Sequence, residues 1–288
     1  MPENTLHIFY SRLRMEEKAL LRAAESLGAP VDFRDVGDLV WPDDYKNVEE
    51  GDVVLCRCVS QTQNAALTML LEGRGVRVIN PSDVVLLCGD KVATAARLEK
   101  SCVPQPAWRV AASPEAAVKA AESLGYPVVF KPPVGSWGRL LAKVSDREAC
   151  EAIVEHKFHM GPAHSVYFIQ KYVEKGGFDL RAVMIGGKTA TLMKRSSPHW
   201  ITNTARGATP ELYPMNKELE DVLERTAGAI TGDFLAVDVF KTDSGWLINE
   251  VNGQPEFHGS VAATGVDVGR LMVEYALSLL KKKGGASC

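Results

Sequence analysis

The stretch FLAVDVFKTDSGWLINEVN, residues 234–252, decides the fold and carries the first functional signal. Two apolar runs flank the turn sequence Asp243-Ser244-Gly245, so the stretch predicts a β-hairpin. Side chains two residues apart on a strand share a face, which places Glu250 beside Asn252, and pairing across the turn brings Asp238 alongside them. Acids among apolar neighbours are costly unless compensated, and oxygen ligands of this kind suit Mg²⁺. The hairpin therefore predicts a magnesium site; the alternative is three solvated side chains on an exposed sheet face.

A lysine and a glycine-containing loop precede this hairpin. Lys131 ends an apolar strand directly before the loop 132–139. Gly135 and Gly138 permit backbone conformations that other residues resist, so amide groups of the loop can converge on an anion. Further donors and a cover for such a site are offered by Ser136, Arg139 and Trp137. Alone, a lysine at a strand end and two glycines are weak signals, but upstream of an acid cluster they favour a bound phosphate.

Two polar segments lie between the loop and the hairpin. Segment 194–207 holds two guanidinium groups, a lysine, an asparagine and several hydroxyls. This composition favours a phosphate- or carboxylate-binding strip over a packed core, with a solvated irregular loop as the alternative. Segment 170–181 runs from a strand through a glycine break into another strand. Such a crossover can offer backbone groups to an adenine, then an acid to a ribose, then an arginine to a phosphate.

The order of strand and helix patterns predicts three units and a short tail. Residues 1–88 alternate strands with helices, which is typical of a small parallel α/β domain, and they contain no G-x-G-x-x-G dinucleotide motif. Residues 89–171 form a central unit, residues 172–283 a more antiparallel unit with the metal site, and 284–288 a tail. The predicted fold class is α/β (α+β).

Composition limits the classes of function. The chain has 288 residues, of which 46% are hydrophobic, and a formal net charge of −3, which argues against nonspecific nucleic-acid binding. No apolar run approaches the roughly 20 residues that span a bilayer, and the polar start lacks a signal-peptide pattern. The six cysteines lack zinc-site spacing. We therefore expect a cytoplasmic protein with reduced thiols that binds neither nucleic acid nor membrane.

Taken in order, these motifs resemble the ATP-grasp superfamily. Within it, the chain resembles the RimK-related branch that contains ribosomal-protein glutamate ligases and the LysX/ArgX-type ligases of carrier-protein biosynthesis. The runs that carry the closer resemblance to LysX are 57–61, 88–91, 135–144, 172–175 and 199–207. The resemblance implies an ATP-grasp fold preceded by a parallel α/β pre-ATP-grasp domain.

The resemblance also implies an activity. It is the joining of the α-amino group of 2-aminoadipate or glutamate to the C-terminal glutamate γ-carboxylate of a small acidic carrier protein, LysW, through an acyl phosphate. ATP and two Mg²⁺ ions are implied as cofactors, in lysine and possibly arginine biosynthesis. The alternative activity is a RimK-type glutamate ligase acting on a ribosomal protein or a cofactor. A nucleotide-binding module without turnover is less favoured, because it would have little need of all three metal ligands.

Carried over residue by residue, the resemblance implies a role for each motif. ATP phosphates would be contacted by Lys91 and Lys131, under a loop formed by Ser136, Trp137 and Gly138. The adenine would be held by Gln170, Lys171, Tyr172 and Val173, and the ribose by Asp179 or Glu174. The metal ions would be held by Asp238, Glu250 and Asn252. The reacting groups would face the catalytic residues Arg181, Arg195 and Arg206, with Asn203, Thr204, Glu256 and Phe257 as substrate-binding residues.

Two positions depart from the pattern of the relatives. Lys171 stands where they often carry an acid, so the adenine contacts at this position can differ from those of the relatives. The loop 253–257 reads differently from aminoadipate-type LysX enzymes and is expected to touch the amino-acid substrate. The relatives also imply a homo-oligomer, a tetramer.

Overall fold

The computed structural model describes residues 4–135, 138–202 and 207–280, which form three sheets in sequence order. None of the helices described in these ranges is long and apolar enough to cross a membrane.

The first sheet is parallel, with strand order β2-β1-β3-β4. Its elements are β1 (Leu6–Tyr10), α1 (Met15–Ser26), β2 (Val31–Asp35), β3 (Val53–Arg57), α2 (Gln61–Glu72), β4 (Arg77–Ile79) and α3 (Ser82–Gly89). The inner strand β1 is buried from Leu6 to Phe9 because both faces of the sheet are covered. Ile8 packs with Leu20 of α1 on one face, and Phe9 packs with Leu71 of α2 on the other. The predicted parallel α/β domain is confirmed.

The second sheet has the order β5-β8-β6-β7 with antiparallel pairs. The elements are α4 (Lys91–Lys100), β5 (Trp108–Ala111), α5 (Pro114–Leu124), β6 (Val128–Lys131), β7 (Ala142–Val144), α6 (Arg147–His159) and β8 (Tyr167–Lys171). Strand periodicity divides β6 between two environments. Val128 and Phe130 pack in the core with α5 and α6, whereas Val129 and Lys131 line a cavity on the opposite face.

The third sheet is antiparallel, with the order β11-β10-β9-β12-β13. Its elements are β9 (Phe178–Ile185), β10 (Lys188–Ser196), β11 (Thr209–Leu212), α7 (Lys217–Ile230), β12 (Phe234–Thr242), β13 (Gly245–Asn252), α8 (His258–Thr264) and α9 (Val268–Ser278). One face packs its apolar residues under α7. The other carries Asp179, Arg181, Arg195 and Asp238 toward the interior of the molecule.

The hairpin is confirmed, with Asp238 opposite Glu250 and Ala236 opposite Asn252. The register then skips Asn249, because Val239 pairs with Ile248. This bulge lets Ile248 and Val251 both point into the core under α7, so that Asn249 and Glu250 both reach a cavity on the other face. A strict alternation would have placed Asn249 in the core.

Three short elements were not predicted, namely α3, β11 and α8. Strand β7 begins at Ala142 and leaves out Leu140, since Leu140 has a positive φ of 57° that takes the backbone out of the extended region.

Candidate active site

Two cavities meet at the junction of the three sheets. The first lies between the second and third sheets, the second between the first and third, and both are lined by Gly135, Arg139 and Glu250. We call the first the nucleotide cavity, with the further polar lining residues Lys91, Lys131, Gln170, Lys171, Lys175, Asp179, Thr202 and Asn249. We call the second the acceptor cavity; it encloses about 640 Å³ and is also lined by Arg14, Gln61, Asn64, Arg181, Arg195, Asp238, Asn252 and Glu256.

Lys131 is held in the nucleotide cavity by the bulge. It is only 6% exposed, and its Nζ donates to Asn249 Oδ1 at 2.8 Å. Burial lowers the pKa of Lys131 to about 8, although the nearby Glu250 carboxylate opposes the shift. A weakly solvated ammonium facing a cavity is suited to bind an anion, because such a ligand restores the charge partner that water cannot supply.

Lys91, the first residue of α4, connects the glycine loop to Glu250. Its Nζ donates to the Gly135 carbonyl at 2.6 Å and lies 3.5 Å from Glu250 Oε1. The N-cap Asp90 accepts from two backbone amides of the first turn of α4, which fixes the start of the helix. Two lysines therefore face the point where the cavities join.

In segment 170–173, predicted to hold adenine, two backbone N–H groups are already in use. Lys171 N donates to the Ala107 carbonyl and Tyr172 N to the Pro127 carbonyl, so a ligand contact at either residue would use the carbonyl oxygen instead. The Lys171 side chain donates to Gly125 O at 2.7 Å, at the C-terminus of α5, where a cation is favourable. This contact explains how a lysine is accommodated at position 171.

Asp179 is buried and has three partners within the protein. It accepts from Arg195 Nε at 2.7 Å and from the Thr202 hydroxyl, and it lies 3.5 Å from Lys175 Nζ. Its carboxylate still lines the nucleotide cavity, but its contacts fix the position of Arg195. Glu174, the alternative ribose residue, is exposed and is not part of the described cavity lining.

Arg195 and Arg181 hold Asp238 between the two cavities. Arg181 donates to both carboxylate oxygens at 2.7 and 2.9 Å, and Arg195 Nη2 lies 3.1 Å from Oδ2. Burial by itself would raise the pKa of Asp238, but the two guanidinium groups outweigh it and lower the pKa to about 2. The pKa of Arg195 is raised above its ordinary value, because Asp238 and Asp179 outweigh its burial. Asp238 is therefore an anion at any working pH.

The predicted metal ligands share one wall, and their chemistry fits Mg²⁺. Asp238, Glu250 and Asn252 all line the acceptor cavity and offer only oxygen donors. Within the described ranges there is no cluster of three or more His, Cys, Asp or Glu side chains that could hold a metal, so this set depends on the amide oxygen of Asn252. Glu250 and Asn252 are partly open to the cavity, whereas Asp238 would share its oxygens between the arginines and an ion.

The loop after Asn252 forms part of the acceptor cavity, but one prediction for it is wrong. Glu256 lines the cavity and accepts from Arg14 Nη1 at 3.0 Å. Phe257, predicted to bind substrate, is 1% exposed and packs in the core between the first and third sheets. As the largest apolar side chain of the loop, it serves instead to anchor the loop.

Other predicted site residues lie outside the described ranges. They are Ser136, Trp137, Asn203, Thr204 and Arg206. Gly138, which borders them, lines the nucleotide cavity.

The residues that the sequence missed belong mainly to the first sheet. Arg14, Gln61 and Asn64 line the acceptor cavity from loops and helix starts that follow β1 and β3. A usable signal existed, because ligands of parallel sheets bind at the carboxyl ends of the strands.

Comparison with known families identifies this arrangement. The RimK-like ATP-grasp domain matches residues 88–276, and the LysX preATP-grasp domain matches residues 6–87. The chain belongs to the RimK-like ATP-grasp family. The predicted resemblance and fold are thereby confirmed, and so is the enzyme class, an ATP-dependent carboxylate–amine ligase.

Relatives of this ATP-grasp protein cover nearly its whole length. The glutamate–LysW ligase ArgX of Sulfurisphaera tokodaii is 34% identical over 91% of this chain and 94% of its own. The α-aminoadipate–LysW ligase LysX of the same organism is 32% identical over 96% of this chain and 99% of its own. Among solved structures, a RimK-domain ATP-grasp protein of Sphaerobacter thermophilus superposes with a TM-score of 0.80 at 26% identity, covering 94% of this chain and 98% of the other.

Proposed function

We propose that this ligase joins the α-amino group of glutamate or 2-aminoadipate to the C-terminal glutamate γ-carboxylate of a LysW-type carrier protein. The proposal is supported by relatives that act on LysW with either amino acid and that align over nine-tenths of the chain. It assigns the protein to lysine or arginine biosynthesis in the cytoplasm.

The observation that carries the proposal is the position of Glu250. Its side chain lines both cavities, next to Lys91, where a nucleotide phosphate and a carboxylate from the acceptor cavity can meet. Phosphoryl transfer needs such a meeting point more than it needs acid–base groups, because positioning and charge neutralisation supply most of the rate.

The reaction then follows in two steps. A γ-carboxylate oxygen of the carrier takes the terminal phosphoryl group of ATP, ADP leaves, and an acyl phosphate forms. The amine of the amino acid attacks the acyl carbon, the C–O bond to phosphate breaks, and the amine loses a proton as the isopeptide bond forms.

Each charged group of the junction has a defined task in these steps. Lys91 and Lys131 bind the ATP phosphates in the nucleotide cavity. Arg195, held by Asp179, and Arg181 face the acceptor cavity and stabilise negative charge on the carboxylate and on the acyl-phosphate oxygens. Mg²⁺ held by Asp238, Glu250 and Asn252 would neutralise phosphate charge, and we propose two such ions.

Either amino acid is compatible with the relatives, since both specificities occur at similar identity. Glutamate and aminoadipate differ by one methylene, which a pocket discriminates by only about 1–3 kcal/mol. We therefore propose dual specificity, with the Arg14–Glu256 pair close to the amino acid.

Three further assignments belong to the same proposal. The chain divides into residues 1–88, 89–171 and 172–283, of which the last two grasp ATP. The adenine lies along 170–173, the ribose near Asp179, and the protein assembles as a homotetramer.

The test is a ligation assay with purified protein, ATP, Mg²⁺, a LysW carrier and each amino acid. We expect phosphate release and a carrier mass increase equal to one amino-acid residue. If neither amino acid gives an adduct while a ribosomal-protein tail or a cofactor does, the proposal fails in favour of a RimK-type glutamate ligase.

A further inference from the structure

The N-terminal sheet has a topological switch point, where the connections after neighbouring strands run in opposite directions, and this point faces the acceptor cavity. In the order β2-β1-β3-β4 the chain moves outward in opposite directions from β1 and from β3, so the loops after these two strands diverge. In parallel sheets the crevice between such diverging loops, outside the carboxyl ends of the strands, is where ligands bind. Arg14 follows β1, and Val59 and Ser60 follow β3, and all three line the acceptor cavity opposite Asp238 and Glu250.

Helix α2 begins in this crevice. Ser60 is its N-cap, and residues Gln61 to Asn64 form the first turn and line the cavity. The Ser60 hydroxyl accepts from Gln63 N over a long 3.4 Å. Amide groups at a helix N-terminus, together with the helix dipole, favour a negatively charged ligand.

Asn64 gives an independent indication of a ligand. Its side chain is 4% exposed and lines the cavity, yet its Oδ1 has no hydrogen-bond partner among the described residues. A buried acceptor of this kind destabilises the folded state as long as it stays unpaired. The ligand of the crevice should therefore carry an N–H donor close to its negative charge.

The first turn of α2 is also fixed against the ATP-binding unit. The Gln61 carboxamide lies over Gly89, and a Cβ atom at Gly89 would stand 1.3 Å from Gln61 Nε2. Gly89 precedes Asp90 and Lys91, so the contact ties the start of α2 to the start of α4. The contact thereby fixes the position of the crevice relative to Lys91, which we propose binds phosphate.

We propose that this crevice binds the C-terminal residue of the carrier, with its free α-carboxylate at the first turn of α2 and its peptide N–H donating to Asn64 Oδ1. The inference rests on the proposed function, in which the γ-carboxylate of that residue reacts at Glu250. The carboxylate and the peptide N–H sit on the same Cα atom, which matches the two features of the crevice. The amino-acid substrate fits less well, because its only N–H donor is the amine that has to attack the acyl phosphate.

The decisive experiment compares two carriers on the wild-type enzyme, one with a free C-terminus and one with a C-terminal α-carboxamide. The γ-carboxylate is unchanged in both. We expect the carboxamide to raise the KM for the carrier about 10-fold, which corresponds to about 1.4 kcal/mol, with the KM values for ATP and amino acid unchanged.

An enzyme variant gives the converse test. Asn64→Asp keeps the shape of the side chain but adds a negative charge, so the KM for the free-acid carrier should rise about 10-fold, and that for the carboxamide carrier by less. Thr68→Val is the matched control, because Thr68 is buried one turn further along α2 and does not line the cavity. Thermal unfolding of both variants reports any loss of folded protein.

The outcomes distinguish failure of the crevice assignment from failure of the proposed ligase function. Equal KM values for the two carriers on the wild-type enzyme overturn this inference and leave the ligase assignment standing. A rise in the KM for the amino acid alone in Asn64→Asp assigns the crevice to that substrate and also overturns it. Ligation of neither carrier overturns the proposed function and this inference with it.

Discussion

The nucleotide cavity and the acceptor cavity differ in the cations that line them. In the described lining, Lys91, Lys131, Lys171 and Lys175 lie only on the nucleotide side, and Arg14, Arg181 and Arg195 only on the acceptor side. A lysine is a compact charge that suits phosphates, whereas the planar fork of an arginine matches a carboxylate. Arg139 lines both cavities, but the other cations divide in the way expected if one cavity binds a phosphate and the other a carboxylate, as we propose.

The two cavities also differ in how they are assembled. The nucleotide cavity is built by β6, β8, β13 and the start of α4, which are neighbours within the ATP-grasp unit. The acceptor cavity needs the first sheet to be docked on the third. That docking depends on polar contacts such as Arg77 with Asp233 and Asn80 with Phe234, besides a shared apolar core.

Glu250 lines both cavities, so removal of its charge should impair the use of ATP and the ligation of the carrier together. Glu250→Gln should lower kcat about 100- to 1000-fold, because the amide holds a cation poorly at the point of phosphoryl transfer. ATP-dependent phosphate release and carrier ligation should fall together, and thermal unfolding should change little since the side chain is partly exposed. Asp243→Asn makes the same chemical change at the exposed turn of the hairpin and should be silent. Near-normal turnover in Glu250→Gln would remove the metal assignment.

Loss of the contact between Asn80 and Phe234 should weaken the docking of the first sheet on the third, which forms the acceptor cavity. Asn80 donates to the Phe234 carbonyl at 2.7 Å and accepts from Phe234 N at 3.0 Å, and it is buried. Asn80→Ala leaves both backbone groups unpaired and should lower the free energy of unfolding by about 2–4 kcal/mol, measured by denaturant titration. Asn216→Ala, which removes only the exposed N-cap of α7, should cost about 1 kcal/mol. Equal costs for the two variants would show that Asn80 does not hold the first sheet in place.

Lys131 should make ATP binding depend on pH. Its buried ammonium has a pKa of about 8, below its ordinary value of 10.5, and only the charged form attracts phosphate. Between pH 7 and 9 the Kd for ATP should rise about 10-fold. The stability contribution has the opposite sign: between pH 8 and 10.5 the unfolded chain binds the extra proton, so the folded state gains stability as pH rises.

The control for this titration is Lys131→Arg, whose guanidinium stays charged over the whole range. Titration calorimetry of ATP binding should then give a Kd that no longer rises between pH 7 and 9. If the wild-type Kd is constant over that range, Lys131 is not the phosphate contact.

The smallest effect is expected at the Arg14–Glu256 pair of the acceptor cavity. Glu256→Gln removes a negative charge facing a dicarboxylic amino acid, so the KM for the amino acid should fall about 2- to 5-fold, with the KM for ATP unchanged. The effect is small because both side chains are partly solvated. A rise in the KM for the amino acid would instead make Glu256 a binding group for the amine.

Much of the nucleotide side was predictable from the sequence. Lys91, Lys131, Gln170 and Glu250, all predicted as site residues, line the nucleotide cavity, and the elements that carry them are visible in the apolar pattern. Asn249 could not be found this way, since the bulge that turns it toward Lys131 depends on core packing under α7. Phe257 was misassigned for the same reason, because proximity in sequence to a ligand does not show which way a side chain packs.

The hairpin of residues 234–252, the nearness of Asp238 to Glu250 and Asn252, and the order of strands and helices follow from the sequence alone, through local periodicity and turn chemistry. The exact pairing of Asp238 with Glu250 depends on the bulge at Asn249. Only the tertiary structure decided that Arg14, Gln61 and Asn64 face Glu250 across the acceptor cavity. Those residues lie 186 to 236 positions before Glu250 in the chain, and their meeting depends on how the first sheet docks on the third. Docking buries apolar surface that is spread over α1, β1, β3 and α9, and no local pattern records which surfaces pair.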